Sequence, residues 1–267
     1  MSLHSPSNIR LLSKPEFCSK QFPKQSILAI ETATEYCSAA LLCGETILQQ
    51  QIQTQQQHSQ HILAMLEALL TEAGISKTQL DAIAFGCGPG SFTGIRLATS
   101  VAQAIAFTLD IPIIPVSTLR ALAQAAYRIG QHPQVLSAID ARLQQIYWGP
   151  YQLGSHQIME ACQEECVCYP ESVTLPYSAE CTDMTTNPIN WIGVGSGWDR
   201  YHQVLQPQLA TKTAHSMPWL TGHYPQAQDI AILAQYAYQQ GHWTRAVEVT
   251  PVYLRNNIAK QQKELKK

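Results

Sequence analysis

The chain of 267 residues is poor in charge: only 13% of it is Asp, Glu, Lys or Arg, and 17 basic against 19 acidic residues leave a formal net charge of −2. So balanced a composition excludes a protein that holds nucleic acid by its overall field; any RNA contact must be local or supplied by a partner. Long uncharged apolar runs are missing, so no association with membrane is expected. Residues 1–24 hold Ser, Pro, Lys and Gln without apolar periodicity, and Leu11-Leu12 is too short for the hydrophobic part of a signal peptide. A cytoplasmic location follows as the expectation, with the eight cysteines reduced. Cys-x-x-Cys pairs are missing too, and Cys162, Cys166, Cys168 and Cys181 cluster at spacings that suit zinc poorly. The P-loop and Gly-x-Gly-x-x-Gly spacings are absent, as is a Gly-x-Ser-x-Gly elbow that would give Ser91 a base.

What is present is a glycine-rich loop, Gly86-Cys87-Gly88-Pro89-Gly90-Ser91-Phe92-Thr93-Gly94-Ile95-Arg96, between an apolar run and a helical stretch. Glycines let backbone N–H groups converge, and a helix start adds unpaired donors and a positive dipole end. An anion site on Gly88, Gly90, Ser91 and Thr93 is one reading; an ordinary Pro-Gly turn with Ser91 or Thr93 as N-cap is the other.

The order of elements carries the fold. Ser26–Glu31, Cys37–Cys43 and Thr46–Ile52 read as three antiparallel strands, the last two joined by Gly44-Glu45. Ser59–Ala73 and Thr93–Leu109 have helical periodicity and flank the strand Leu80–Phe85, so the order is βββαβα. A weaker copy follows Ile111–Val116 and the helical Thr118–Ile129: Val135–Asp140 and Gln145–Tyr151 are strands, and Trp191–Val194 runs into Gly195-Ser196-Gly197. Each half has a strand ending in a carboxylate, Glu31 or Asp140, and a later strand entering a glycine loop. Two such halves describe the α/β actin-like ATPase (ribonuclease H-like) fold, with the second lobe reduced because Pro170–Thr186 shows no clear helix. The expected divisions are a loose extension over 1–24, a first lobe over 25–118, a second over 119–247, and an extended segment with a basic tail over 248–267.

The two helices of the first lobe are apolar over wide arcs, roughly 160° for Ser59–Ala73 and more for Thr93–Leu109, which leaves only Arg96, Thr99, Ser100 and Gln103 as a polar stripe. Such helices are either sandwiched inside their own chain or presented to a partner helix, and the second reading is preferred because a small lobe has few elements to cover both. Glu31 and Asp140, with Thr32, Thr34 and the glycine loop, would be the groups of a Mg²⁺-nucleotide site. His58 and His61, at i and i+3, lack a third ligand and read as packing or surface histidines, so no metal site is expected.

The strings Ile27-Leu28-Ala29-Ile30-Glu31-Thr32-Ala33-Thr34-Glu35, Gly88–Arg96, Ile139-Asp140-Ala141-Arg142 with Tyr147-Trp148, and Pro251-Val252-Tyr253-Leu254-Arg255-Asn256-Asn257 together resemble the TsaB family, also called YeaZ. The resemblance runs from about Ser26 to Ala259. It implies the same two-lobed fold and a part in forming threonylcarbamoyladenosine beside the anticodon of tRNAs that read codons beginning with A. In that family the catalytic subunit is a paralogue, TsaD, whose metal is held by a His-x-x-x-His pair, and the ATPase TsaE is a third component. The resemblance therefore implies no catalytic residue here, no intrinsic cofactor, tRNA met through the complex, and ATP or ADP at most at the complex interface. The expected partner surface is Ile62, Met65, Leu66, Leu69, Ala73, Ala98, Val101, Ala102 and Ile105, which would also serve a homodimer of this chain alone. The alternative is an independent ATPase or phosphotransferase using Glu31 and Asp140. Two departures from the family pattern stand out: Glu31 takes the place of an Asp, and the extension before Ser26 has no counterpart.

Overall fold

The computed structural model describes residues 10–12, 25–54, 57–176, 191–210 and 217–255. Six strands form the first sheet: β1 (Arg10–Leu12), β2 (Ser26–Glu31), β3 (Tyr36–Cys43), β4 (Thr46–Gln53), β5 (Ala82–Gly88) and β6 (Ile113–Ser117), in the order β1-β4-β3-β2-β5-β6. β2, β3 and β4 are an antiparallel meander, and Gly44 at φ 63° turns β3 into β4. β5 pairs parallel to β2, and β6 parallel to β5. The central strands read as unbroken apolar runs because both of their faces are covered; Ile27, Leu28, Ala29 and Ile30 are fully buried. The loose extension expected over 1–24 needs one correction: Arg10–Leu12 pairs with Ile47–Gln49 and lengthens the sheet at its polar edge.

Helices α1 (His58–Ala73) and α2 (Phe92–Leu109) lie side by side on one face of this sheet, with Ile62, Leu66, Leu69, Ala98 and Ala102 packed on Leu28, Ile30, Ile83 and Phe85. By length and composition alone α2 is apolar enough to cross a bilayer, but its inner face is core.

The second sheet, β10-β8-β7-β11-β12 with β9 beside β8, repeats the β4-β3-β2-β5-β6 arrangement. Its strands are β7 (Gln134–Arg142), β8 (Gln145–Leu153), β9 (Met159–Ala161), β10 (Cys166–Cys168), β11 (Trp191–Val194) and β12 (Trp219–Leu220). β7, β8 and β10 are antiparallel, and β11 and β12 run parallel to β7. Where the first lobe has α1, the described part of the second has only the 3₁₀ turn Pro170–Ser172, which is the sense in which it is reduced. The chain thus has the actin-like ATPase fold that the order of its elements predicts.

The two lobes exchange helices. α3 (Thr118–Gly130) leaves the first sheet at β6 and packs through Leu119, Leu122, Ala123 and Ala126 on Val135, Ile139, Ile192 and Val194 of the second. α5 (Ala227–Gln239) follows the second sheet and returns to the first, where Ala227, Ile230, Ala231 and Ala234 cover Ile27, Ala29, Ala84 and Ile114. α4 (Ser196–Ala210) closes the outer face of the second sheet. A division at 119–247 therefore assigns α5 to the wrong body: by packing, Ala227–Gln239 belongs to the first lobe. α3 and α5 meet in a bidentate pair, Arg128 Nε donating to Asp229 Oδ1 at 2.8 Å and Nη2 to Oδ2 at 3.0 Å, with Asp229 wholly buried. Arg128 stands in the last turn of its helix and Asp229 in the first turn of the other, so each charge also complements its own helix dipole.

Candidate functional site

Glu31 closes β2 and Asp140 lies near the end of β7, so the repeat places the two acids at equivalent points of the two lobes. Their surroundings differ. Glu31 is fully buried; Oε1 accepts the Ala33 N–H at 2.5 Å, while Oε2 has no hydrogen-bond partner among the described residues. The carboxylate occupies the space beside Gly86, where an added Cβ would lie 1.9 Å from Oε2. Burial pushes the Glu31 carboxyl up to about 7, against lowering by the Ala33 and Thr32 N–H groups.

That shift fixes a direction for stability. A carboxyl whose native pKa exceeds its unfolded value binds its proton more tightly when folded, so stability falls as pH rises from about 4.5 to about 7. Above that window the ionised group costs about 3 kcal/mol. Glu31→Gln is expected to remove this pH dependence and to raise unfolding free energy at pH 8 by about that amount, measured by urea denaturation at pH 5 and pH 8.

Asp140 is saturated differently. Oδ1 accepts the Arg142 N–H at 2.9 Å and the Tyr201 hydroxyl at 3.3 Å; Oδ2 accepts from Arg142 Nη1 at 3.2 Å and from Arg200 Nη1 at 2.9 Å. A carboxylate held by two guanidinium groups and a carboxyl buried beside a glycine do not fit a Mg²⁺-nucleotide, which needs exposed anionic oxygens facing one another. Between the lobes, Ser117 and Tyr151 both donate their hydroxyls to Glu165 Oε1, so a side chain of the second lobe is tied to the end of β6. Burial raises the Glu165 carboxyl. No motif marks Glu165 in the sequence; it lies in an unpatterned stretch between two three-residue strands.

The glycine loop serves packing. Added Cβ atoms at Gly90 and Gly94 would fall 2.5 Å from Ala33 O and 1.9 Å from Thr32 O, and one at Gly88, with φ at 108°, would fall 2.8 Å from Val252 O. The loop is thus pressed against the β2–β3 turn and the C-terminal segment by backbone contacts that a larger residue would break. Ser91 donates its N–H to Ala33 O at 2.7 Å, and its side chain accepts from Gly94 N at 3.4 Å as the N-cap of α2. Ser91 and Thr93 are exposed at the loop's rim.

The expected partner surface is corrected by the packing. Ile62, Met65, Leu66, Leu69, Ala98 and Ala102 are buried in the chain's own core, and Ala73, Val101 and Ile105 are half-buried against it. The wide apolar arc of α2 is accounted for on one side by β5 and on another by the 3₁₀ turn Ala246–Glu248, to which Gln103 donates through Ala246 O at 2.7 Å. The outward stripe is a different set: Leu63, Ala64 and Glu67 on α1, and Arg96, Ser100, Ala104 and Phe107 on α2. Leu63 and Phe107 are 60% and 70% exposed, and Val247 beside α2 is 68% exposed. A substitution such as Leu69→Glu or Ala102→Glu would therefore test the core.

A curated relative from Escherichia coli, described as tRNA threonylcarbamoyladenosine biosynthesis protein TsaB, is 36% identical over 87% of this chain and 96% of its own length. The chain belongs to the TsaB family. A TsaB from Haemophilus influenzae is also 36% identical, over 87% of the chain and 94% of the relative. The solved structure of YeaZ from Pseudomonas aeruginosa superposes with a TM-score of 0.76 at 39% identity and covers 86% of the chain and 100% of that protein. A family model described as TsaD, tRNA N6-adenosine threonylcarbamoyltransferase, matches residues 43–263. Membership in that family places the chain in threonylcarbamoyladenosine biosynthesis. His58 of helix α1 makes a contact of 3.0 Å with Thr34 O, and among the described residues no three His, Cys, Asp or Glu side chains converge as metal ligands.

Proposed function

We propose that this chain acts without catalytic chemistry of its own, binding the paralogous TsaD subunit through the outward stripe of α1 and α2 and holding it in an active conformation, with the ATPase TsaE joining the assembly. The observation that carries this reading is the stripe itself. Leu63, Phe107 and Val247 stay exposed on elements whose inner faces are already packed, and Ser100 and Ala104 between them allow another helix to come close. The two acids support the same reading, since Asp140 is held by arginines and Glu31 is buried away from solvent. tRNA is then met through the complex, and ATP or ADP is a guest of the assembled interface. The exposed stripe also suits a homodimer when TsaD is absent.

Ala104→Glu and Phe107→Asp place a charge on this stripe without entering the core. Each is expected to keep the unfolding temperature of the wild type and to weaken co-purification with TsaD by at least about 100-fold, because a charge desolvated at the centre of an apolar contact has no partner. Reconstituted tRNA modification with TsaD, TsaE and a threonylcarbamoyl-adenylate supply should fall in step. Full complex formation by both variants would refute the proposal.

A further inference from the structure

Four arginines are linked by a chain of contacts that runs from α2 to the hairpin of the second lobe. Arg96 at the start of α2 donates to the Tyr253 hydroxyl at 2.9 Å and stacks 3.8 Å from the Phe92 ring centroid. Two residues on, Arg255 crosses to the second lobe and donates to Gln145 Oε1 at 2.6 Å. Gln145 follows the hairpin turn that carries Arg142, and Arg142 shares the Asp140 carboxylate with Arg200 of α4. Among the described residues, the salt bridges made by these four arginines all go to Asp140. The neighbouring acids Glu35 and Asp199 act on Tyr224 instead, and Asp199 accepts from Gly222 N. Among the described residues the side-chain partners of Arg96 and Arg255 are neutral: the Tyr253 hydroxyl and Phe92 ring for the first, Gln145 for the second.

The hairpin turn gives a second, independent observation. Arg142, Leu143 and Gln144 have φ of 62°, 53° and 60°, three successive left-handed residues without a glycine among them. A two-residue hairpin turn of this hand is normally made by Asn-Gly or Gly-Gly, and bulkier residues hold it only at a cost to stability. The tip carries Leu143, which is 68% exposed, and projects Arg142 into solvent. Aromatic surface is interleaved with the charge: Phe92 is 54% exposed, with the Tyr253 ring 5.4 Å from it and Tyr201 beneath Arg200. Past Arg255 the sequence continues with Lys260, Lys263, Lys266 and Lys267 against a single acid, Glu264.

We propose that the Arg96–Arg255–Arg142–Arg200 seam is a binding surface for RNA phosphates, with Phe92, Leu143 and Tyr253 as the flat apolar surface against which an unstacked base rests. Guanidinium groups supply the bidentate donors that phosphate oxygens take, and aromatic faces among them distinguish a nucleic acid from an acidic peptide. The seam runs from α2, whose outer face is the docking stripe, so it continues the surface of the assembly. This inference rests on the proposed complex with TsaD, and in that setting the RNA is the tRNA substrate.

The test uses the purified full-length chain with TsaD, assembly read by size exclusion and binding of labelled unmodified tRNA read by fluorescence anisotropy at several salt concentrations. Arg142→Gln, Arg200→Gln and Arg255→Gln lie off the docking stripe, and each leaves Asp140 with at least one arginine. Each is expected to weaken tRNA binding by about threefold to tenfold and to lower the slope of log affinity against log salt by about 0.7–0.9, while assembly is unchanged. Lys77→Gln, at the opposite end of the first lobe, should alter neither. Assembly with tRNA affinity and salt slope unmoved by all three variants overturns the seam alone. Failure of the wild-type pair to assemble overturns the docking proposal and the seam with it. Competition by poly-glutamate as effective as by single-stranded RNA would assign the surface to an acidic protein and overturn the RNA reading.

Discussion

Arg128→Met is expected to destabilise the protein by about 3–5 kcal/mol, because it leaves the wholly buried Asp229 without its counter-charge. The loss comes mainly from the stranded carboxylate, and the attraction that disappears is the smaller part. Burial already raises the Asp229 carboxyl despite the guanidinium beside it, and removing the arginine raises it further. The unpaired acid therefore takes up a proton on folding, and stability of the variant falls as pH rises through the carboxyl's native value. Unfolding free energies at pH 5 and pH 8 check this: the deficit should be smaller at pH 5. The double replacement Arg128→Met with Asp229→Leu is expected to recover most of it, since an apolar pair of similar volume needs no counter-charge. An equal deficit in the single and double variants would mean that the site is held by packing alone.

Gly94→Ala is the second change with a large expected effect. The added Cβ would fall 1.9 Å from Thr32 O and 2.9 Å from its carbonyl carbon, and neither is the end of a flexible side chain. To make room, the first turn of α2 must lift from the β2–β3 turn, which breaks the buried bond from Thr32 Oγ1 to Gly94 O of 2.7 Å. Overpacking and one lost buried hydrogen bond together amount to about 3 kcal/mol or more. Gly74→Ala provides the contrast. Gly74 closes α1 with φ at 66°, but nothing lies within 4 Å of an added Cβ, so about 1 kcal/mol is expected from backbone conformation alone. A loss at Gly94 no larger than at Gly74 would show that the loop is not clamped against the turn.

The fold was legible in the sequence where one local property decides it. Strands covered on both faces are apolar, so Ser26–Glu31 and Leu80–Phe85 read as strands, although the second is observed as Ala82–Gly88 and takes in the first glycines of the loop. The start of α2 carries its cap: of the two candidates Ser91 and Thr93, Ser91 is the N-cap. The repeated order of strands then leaves few topologies.

The site was less legible because its decisive contacts come from far along the chain. Asp140 reads as a free acid until Arg200, 60 residues later, is placed on it. The apolar arc of α2 reads as exposed until the Ala246–Glu248 turn, 143 residues beyond Gln103, is laid against it. A helical wheel reports how much of a helix is apolar but not which neighbour covers each part. The same limit hid the return of α5 to the first sheet: a helix that follows the last strand of the second lobe gives no sign of which sheet its apolar face will meet.

That exchange of helices has a bearing on synthesis. When the ribosome has made residues up to Gly130, the first sheet is complete in its strands, yet Ile27, Ala29, Ala84 and Ile114 lack most of their cover until Ala227–Gln239 emerges about a hundred residues later. At the speed of translation that leaves an apolar sheet face bare for roughly five to twenty seconds. A nascent chain in that state is a substrate for holding chaperones, and one truncated before α5 would keep the exposed face for good.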